Sequence, residues 1–263
     1  MSAEHIFDEA VVQRLEAVYR TPEMVEQRRI TIEALAPQPG ERILDIGTGP
    51  GLLALELVSH VAPGGHVTGI DVSPDMLTVA EEHRRRSPHA ELMTFCDGDA
   101  TALPFADASF HAAVSTQVFE YVSNVDRALA EAHRVLCSGG QLLVLDTDWD
   151  SLVWHAHARD RMQRIIAAWT TRFADPHLPT TLKRRLSAAG FDVQAVAVVP
   201  VLNADFDPDT YSARHIEIVS DYVTRHGIPP EEAAAWADDL RERAHTDEYF
   251  FSLSRYVFTA RKP

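Results

Sequence analysis

Cysteine is scarce in this sequence: its 263 residues include only two, Cys96 and Cys137, and they form no C-x-x-C pair. So few cysteines exclude a disulfide framework, and their spacing excludes a cysteine-based zinc or redox motif. Basic residues are also in the minority, with 24 Lys and Arg against 39 Asp and Glu and a net charge of -15. Because a field of this sign repels polyanions, we expect neither nucleic acid nor a membrane as a partner.

Long hydrophobic runs are missing as well. No segment reaches the ~18 uninterrupted apolar residues that a membrane span requires, and residues 1–5 (MSAEH) lack the basic and apolar parts of a signal peptide. These absences predict a soluble, cytoplasmic protein. The composition, 46% hydrophobic and 24% charged, is typical of a globular chain with a sizeable core. With no internal repeat and no Gly/Ser-rich linker, we expect a single domain over residues 1–263.

Short β-branched runs alternate with helix-length segments from Arg42 to Leu145. Strands separated by helices in this way are typical of a parallel, doubly wound sheet. Two later runs, Phe191–Val201 and Tyr249–Ala260, predict further strands with a helical pair between them. The predicted fold is α/β, with a doubly wound, mostly parallel seven-stranded sheet. Its parts are N-terminal helices in residues 1–36, a cofactor-binding core in residues 40–150, and an inserted helical cap between the last two strands in residues 205–247.

The segment LDIGTGPG, residues 44–51, follows the first predicted strand and leads into a helix. Its glycines let a ligand approach the backbone closely, although such loops serve dinucleotides and other nucleosides alike. Two acidic residues indicate which of these ligands the loop binds. Asp45 at the strand end would repel a pyrophosphate and favour a cationic ligand, while Asp71 ends the next strand 20 residues after Gly51, the spacing of an acid that binds ribose. A ribose and a positive charge without a pyrophosphate describe S-adenosylmethionine.

Five ordered sequence blocks carry a resemblance to a known family. Over about Arg42 to Trp154 the sequence resembles the S-adenosylmethionine-dependent methyltransferases of the Rossmann-like class, most closely the ubiquinone/menaquinone-biosynthesis branch (methyltransferase type 11-like). Five blocks at family-like spacing are more specific than any one of them. The blocks are LDIGTGPG (44–51), GIDVSPDML (69–77), DGDA (97–100), LPFADASF (103–110) and RVLCSGG (134–140).

The resemblance implies S-adenosylmethionine as the cofactor and a set of residues that bind it. It puts the methionine moiety near the glycine loop, the ribose on Asp71, the adenine between Val72 and Met76, and the sulfonium beside the residues that follow the fourth strand. The implied cofactor-binding residues are Tyr19, Asp45, Gly47, Thr48, Gly49, Gly51, Asp71, Val72, Met76, Gly98, Asp99, Ala100, Thr116, Gln117 and Tyr121.

Each of these assignments has a purely local alternative. The glycines would also suit a tight strand-to-helix turn, and Asp71 would also suit the cap of the helix that opens at Ser73-Pro74. Asp99 is equally placed to cap a short turn, and Met76 to pack in the core. The sequence leaves these alternatives open.

Ligands of open α/β sheets lie outside the carboxyl ends of the strands, so the segment after the fifth predicted strand is expected to line the acceptor pocket. His155 in this segment is the candidate catalytic base, because an imidazole exchanges protons near neutral pH; a structural or exposed histidine is the alternative. We expect the cap to close over the acceptor and exclude water. The predicted substrate-binding residues are Trp149, Trp154, His155, Ile216, Tyr222 and Phe250.

Two segments imitate metal sites and fail on spacing. Asp146–Asp150 starts like a calcium loop, but Ser151 stands where a glycine is required and His157 where a glutamate is required. His155 and His157 lack the further ligands of a tetrahedral zinc site. We therefore expect no bound metal.

Together these patterns predict an enzyme that transfers a methyl group from S-adenosylmethionine to O, N or C of a small-molecule acceptor by in-line displacement. One alternative is a nicotinamide-dependent oxidoreductase, which Asp45 and the G-x-G-x-G spacing disfavour. The other is a noncatalytic S-adenosylmethionine-binding protein, which would keep the same loop. The acceptor, the use of a general base and the oligomeric state stay open at this point.

Overall fold

Seven strands form one sheet in the computed structural model, which describes residue 14 and residues 16–263. The strands are β1 (Arg42–Ile46), β2 (His66–Asp71), β3 (Met93–Asp97), β4 (Phe110–Thr116), β5 (Leu136–Trp154), β6 (Asp192–Asn203) and β7 (Phe251–Arg261). Their order is β3-β2-β1-β4-β5-β7-β6. The pairs from β3 to β5 are parallel, whereas β7 runs antiparallel to both β5 and β6. The expected α/β class with seven strands is confirmed, and the single reversed strand makes the sheet mixed.

The helices follow the predicted alternation, with one exception. They are α1 (Pro22–Leu35), α2 (Leu52–Val61), α3 (Pro74–Arg86), α4 (Val125–Val135), α5 (Arg159–Thr170), α6 (Pro179–Ala188), α7 (Tyr211–Arg225) and α8 (Pro230–His245). The exception is α5, which the sequence patterns did not predict. The helix expected before Thr21 falls partly on residues 1–13 and 15, outside the described residues; residues 16–19 are helical. Among the described residues, no helix combines the length and apolarity that crossing a bilayer requires.

Helices cover both faces of the sheet, so the central strands are buried on both sides. Successive residues of β1 show this: Ile43 packs with Leu57 of α2 on one face, and Leu44 packs with Leu129 of α4 on the other. Because the central pairs are parallel and in register, Ile46 lies beside Ile70 where their strands end. The carboxyl ends of the strands, with the loops that follow them, therefore meet at one edge of the sheet.

Helices α7 and α8 lie between β6 and β7, where the sequence predicts an inserted helical pair. Their apolar faces are buried with α5 in a separate aromatic cluster that includes Trp149, Trp154, Trp169 and Trp236. The carboxyl-terminal part of β5 belongs to this cluster, because it supplies Trp149 and Trp154. Helices α7 and α8 thus pack in the same cluster as the carboxyl-terminal part of β5.

Candidate ligand-binding site

The loop after β1 is held against the end of β2. Gly47 and Gly49 have φ values of +71° and +53°, in the left-handed region that glycine enters without a steric penalty. The N–H of Gly49 donates a hydrogen bond to Asp71 Oδ2 at 2.8 Å, and the N–H of Thr48 donates to the carbonyl of Ile70 at 2.8 Å. The glycine loop and the candidate ribose-binding acid therefore form one hydrogen-bonded unit.

The three loop glycines have different surroundings. A Cβ at Gly47 would lie 2.2 Å from Cγ2 of Val118, and a Cβ at Gly51 would lie 2.8 Å from Cζ of Phe95, whereas a Cβ at Gly49 would meet no atom within 4 Å. Gly51 does not line the cavity described below, so its expected cofactor contact is corrected: the residue lets helix α2 pack closely on the sheet. Gly49 is the glycine whose backbone stays open to a ligand.

Asp45 lies beneath the loop and is not brought to the cavity surface. Its side chain is 1% exposed and accepts a hydrogen bond from Thr48 Oγ1 at 2.7 Å. Burial raises the pKa of Asp45 to about 7. The charge of Asp71 adds to this shift, and the hydrogen bond from Thr48 opposes it. The expected direct contact of Asp45 with the methionine moiety is therefore corrected, because the side chain is buried under the loop.

The Asp71 carboxylate combines a local role with access to the cavity. Its Oδ1 accepts a hydrogen bond from the N–H of Ser73 at 2.9 Å, and helix α3 is capped by Ser73 itself, whose Oγ accepts from the N–H of Met76 at 3.3 Å. Burial raises the pKa of Asp71, and the N–H groups of Ser73 and Gly49 oppose the shift. Each carboxylate oxygen keeps a second acceptor site for a ligand hydroxyl.

A cavity of about 750 Å³ opens at the carboxyl ends of β1, β2 and β4, within the range of about 300–1,000 Å³ found for small-molecule sites. It brings together most of the residues predicted to bind the cofactor. Those that line it are Tyr19, Gly47, Thr48, Gly49, Asp71, Val72, Met76, Gly98, Asp99, Ala100, Thr116, Gln117 and Tyr121; the predicted acceptor residue Trp149 lines it too.

At the end of the cavity beside β2 and β3, some residues that line the cavity also have a local structural role. Met76 is 3% exposed and packs in the interior, while Val72 is 51% exposed. Asp99 Oδ1 accepts hydrogen bonds from the N–H and Oγ1 of Thr101 at 2.7 and 2.8 Å, which is the turn cap that the sequence allowed. All three side chains nevertheless line the cavity.

Three of the predicted acceptor residues, Trp154, His155 and Phe250, are not brought to the cavity. His155, the candidate base, is exposed, and its backbone N–H donates to the carbonyl of Phe250 at 2.9 Å. Trp154 packs edge-on against Trp236 and Phe251. An irregularity in the β5–β7 pairing between Asp148 and Val153 separates this stretch from Trp149, which does line the cavity.

The cap also presents a different face from the expected one. Ile216 is 1% exposed and is buried inside the cap, and Tyr222 stacks on His226. Helix α7 turns Tyr211, His215 and Ile218 toward the cavity instead, a set spaced by four and three residues along one helical face. The predictions for Ile216 and Tyr222 are therefore corrected: the helix is where the sequence predicts it, but a different face of it lines the cavity.

An aromatic chamber forms the part of the cavity beyond β4, and the sequence analysis missed most of it. We define the aromatic chamber by Tyr121, Trp149, Trp169, Phe173 and Tyr211, which all line the cavity. Phe173 stacks on Trp149 with ring centroids 4.8 Å apart, and Trp169 meets Trp149 edge-on at 5.8 Å. The detectable signal was the apolar spacing of Ile165 and Trp169 in α5.

Glu120 is the acid of the aromatic chamber, in the short 3-10 turn Phe119–Tyr121. Its side chain is 1% exposed, and Oε2 accepts hydrogen bonds from Trp149 Nε1 at 3.3 Å and from the N–H of Thr147 at 3.4 Å. Burial raises the pKa of Glu120 above its usual range. The carboxyl group is therefore suited to hold a proton that an ordinary surface glutamate would release.

His215 is the histidine that the fold brings to the cavity. Its Nδ1 lies 2.9 Å from the carbonyl oxygen of Tyr211, and its ring stacks on the Tyr211 ring. Burial lowers the pKa of His215 to about 3, so the imidazole is neutral. A neutral ring that donates Nδ1–H to a carbonyl offers Nε2 as a hydrogen-bond acceptor.

Outside the cavity, Asp148, Asp150 and His177 offer ligand atoms within 4.8 Å of one another. His177 Nδ1 lies 3.3 Å from oxygens of both acids. The spacing within Asp146–Asp150 does not fit a calcium loop, but the fold brings His177 from a distant segment to two of these acids. The expectation of no bound metal stays a prediction.

Fold and site together define an α/β domain in which a glycine loop and an acid on the next strand line one cavity. Residues 44–144 match the family model described as "Methyltransferase domain". The chain is therefore similar to methyltransferase domains over these residues.

Two known proteins are similar to parts of the chain. The chain is 37% identical over 150 residues to an uncharacterized 37.1 kDa protein in transposon TN4556 of Streptomyces fradiae, covering 56% of this chain and 43% of that protein. It is 39% identical over 119 residues to demethylmenaquinone methyltransferase of Thermus thermophilus, covering 45% and 53%. The chain thus spans about half the length of the curated relatives it matches.

A solved structure extends the likeness of fold to nearly the whole chain. Phosphoethanolamine N-methyltransferase 2 of Haemonchus contortus, in complex with S-adenosyl-L-methionine, matches 97% of this chain and 57% of its own with a TM-score of 0.64. At 19% identity this match supports the fold alone.

Proposed function

We propose that the protein is a methyltransferase that takes a methyl group from S-adenosylmethionine and passes it to a small-molecule acceptor. The observation that carries the proposal is the pairing of Asp71 with Gly49 at 2.8 Å, in one cavity that continues into the aromatic chamber. The similarity to methyltransferase domains and the named activity of the Thermus thermophilus relative support it. The single domain over residues 1–263, the cytoplasmic location and the absence of nucleic-acid and membrane partners stay predictions.

The types of residue that line the cavity suit S-adenosylmethionine. An open backbone at Gly49 suits close approach of the methionine moiety, and the Asp71 carboxylate suits the ribose hydroxyls. Arg28, which donates to the carbonyl of Tyr19 at 2.7 Å and to Glu56 at 2.6 Å, lines the same end and would face the cofactor carboxylate. Val72, Met76, Gly98, Asp99 and Ala100 would enclose the adenine.

The main task of the protein is to align the methyl group of the cofactor with the acceptor. When bound, the cofactor supplies a methyl group already activated on a sulfonium. Thr116 and Gln117 end β4 between the two parts of the cavity, and the Gln117 side chain is fixed by donating to Thr147 Oγ1 at 2.9 Å. The aromatic chamber excludes water and orients the acceptor, which lowers the barrier by several kcal/mol. Glu120 replaces His155 as the group positioned to take a proton from an acceptor, and the neutral His215 offers Nε2 as a hydrogen-bond acceptor.

The test is a binding measurement followed by turnover. We expect S-adenosylmethionine and S-adenosylhomocysteine to bind by calorimetry, and labelled methyl transfer to depend on an acceptor from a panel of phenols, quinols, acids and amines. Binding of reduced nicotinamide cofactors in their place would favour the oxidoreductase alternative. Binding of S-adenosylmethionine without turnover on any acceptor would favour the noncatalytic alternative.

Cofactor binding should depend on pH through the buried acids under the loop. Burial raises the pKa of Asp45 to about 7 and also raises that of Asp71. A cationic ligand favours the ionised carboxylates, so below pH ~7 binding must displace a proton and affinity should fall by up to about tenfold per pH unit. Above that pH the affinity should level off.

Calorimetry of S-adenosylmethionine binding from pH 5.5 to 8.5 measures this dependence. Asp45→Asn removes the carboxyl group whose pKa is raised to about 7 and should flatten the profile, whereas substitution of the exposed acid Asp75 in α3 by Asn should leave it unchanged. A flat profile in the unmodified protein would contradict the coupling.

Catalysis should not require a metal ion, because the Asp148, Asp150 and His177 cluster does not line the cavity. Incubation with EDTA and gel filtration should leave the methyl-transfer rate within about twofold of its initial value. A rate that is lost with EDTA and restored by one divalent ion would show that the prediction is wrong. Asp150→Ala then tells whether this cluster is the site.

A further inference from the structure

Arg172 brings a positive charge into the aromatic chamber and forms no salt bridge with Glu120, the acid of that chamber. Its guanidinium carbon lies 4.3 Å from the ring centroid of Trp169 and 5.5 Å from those of Tyr121 and Phe173. The side chain lines the cavity. Within residue 14 and residues 16–263 it forms no salt bridge, and its hydrogen bonding is confined to its backbone N–H, which donates to the carbonyl of Trp169.

A second guanidinium lies behind the same wall. Arg255 is fully buried, donates to Gln27 and Met24 through Nη1, and lies 4.5 Å from the ring centroid of Tyr211, which lines the cavity. Its Nε and Nη2 have no partner among the residues that the structure describes. Burying a cation without a paired anion is costly, and Arg255 adds a second positive charge beside the aromatic chamber.

The acids that line the cavity do not cancel these charges. Asp71 and Asp99 lie at the cofactor end, beside β2 and β3. Glu120 is the acid of the chamber, and even when ionised its single charge offsets only one of the two guanidinium groups. A chain of net charge -15 therefore carries a locally cationic, aromatic-walled chamber where the acceptor must bind.

We propose that the methyl acceptor is a planar aromatic carboxylate whose anionic group binds the Arg172 guanidinium. A guanidinium that lies over an aromatic ring keeps its N–H edges free, and those edges match a carboxylate in a bidentate arrangement. The stacked rings of Trp149 and Phe173 supply flat apolar walls for the ring of the acceptor. This inference rests on the proposed function, because it names the acceptor of that same site.

The competing role for Arg172 is to bind the carboxylate of the cofactor. The topology favours the acceptor: the glycine loop follows β1, while Arg172 contacts Tyr121, Trp169 and Phe173 on the far side of β4. Arg28, beside the glycine loop, is the better-placed cation for the cofactor. Substitution of Arg172 separates the two roles.

The experiment measures calorimetric affinities of hydroxybenzoates and hydroxycinnamates against their matched primary carboxamides, with and without S-adenosylhomocysteine. We expect the carboxylates to bind at least tenfold more tightly than the amides. Arg172→Gln should abolish that preference, and Arg172→Lys, which keeps the charge without the planar fork, should retain part of it. Arg184→Gln removes the same charge from an exposed position of α6 and should change nothing.

S-adenosylhomocysteine affinity is the second readout and should stay within about twofold in Arg172→Gln. Equal affinity for acids and amides, or no binding of any carboxylate at millimolar concentration, overturns the proposal. Loss of S-adenosylhomocysteine affinity in Arg172→Gln also overturns it and assigns Arg172 to the cofactor. Carboxylates that bind through Arg172 to a protein that binds no S-adenosylmethionine would support the anion site while contradicting the proposed function.

Discussion

Replacement of Asp71 by alanine is expected to weaken S-adenosylmethionine binding by at least about a hundredfold. The carboxylate is the candidate acceptor for two ribose hydroxyls, and each charge-assisted bond contributes ~1.5–3 kcal/mol, against about 2.7 kcal/mol for a hundredfold change. The same group also anchors the loop, through the hydrogen bond from the N–H of Gly49 to Oδ2 at 2.8 Å. The alanine variant therefore loses a ligand contact and the preorganisation of the glycine loop together.

Calorimetry on the folded variant measures the loss, with circular dichroism as the check on folding. Asp71→Asn keeps an acceptor oxygen and should lie between the alanine variant and the unmodified protein. Asp75→Ala truncates an exposed acid four residues away and serves as the matched control. A folded Asp71→Ala protein whose affinity changes by less than threefold would remove Asp71 from the cofactor site.

The cofactor end of the site was predictable from the sequence because its geometry is local. Strand, glycine loop and helix follow one another within residues 42–61, and the parallel register sets Ile46 beside Ile70. The order of the blocks therefore brings Gly49 to Asp71 whatever the rest of the chain does. Asp45 and Gly51 belong to the same segment, yet they support the loop from below, since strand alternation and close helix packing turn them from the cavity.

The acceptor end was not predictable in the same way, because it depends on the phase of helices and on distant contacts. A residue next to another on a helix lies about 100° around the axis, which is enough to bury Ile216 and expose His215 to the cavity. The irregular stretch of β5 likewise separates Trp149 from His155. No short motif joins Glu120 to Arg172, and tertiary packing alone brings them to one chamber.

Alanine at Gly47 is expected to destabilise the protein by about 2–4 kcal/mol, whereas alanine at Gly49 should cost only about 1–2 kcal/mol. Both positions have positive φ, +71° and +53°, so both variants pay for a left-handed alanine. Gly47 carries a second cost, because its new Cβ would lie 2.2 Å from Cγ2 of Val118. Gly49 has no atom within 4 Å of a Cβ, so no packing cost is added there.

For ligand affinity, measured on folded protein, we expect the opposite order: Gly49→Ala should weaken binding more than Gly47→Ala does. The Cβ of Gly49→Ala would stand where the open backbone is expected to meet the methionine moiety, so its affinity for S-adenosylhomocysteine should fall by at least tenfold in a protein that is still well folded. Urea unfolding measures the stabilities, and calorimetry measures the affinity. Val118→Ala in the Gly47→Ala background should recover part of the lost stability by removing the clash, and it should do nothing for Gly49→Ala. Equal destabilisation by the two alanines, with no recovery from Val118→Ala, would mean that backbone strain alone selects glycine in this loop and that the contact with Val118 has no part in it.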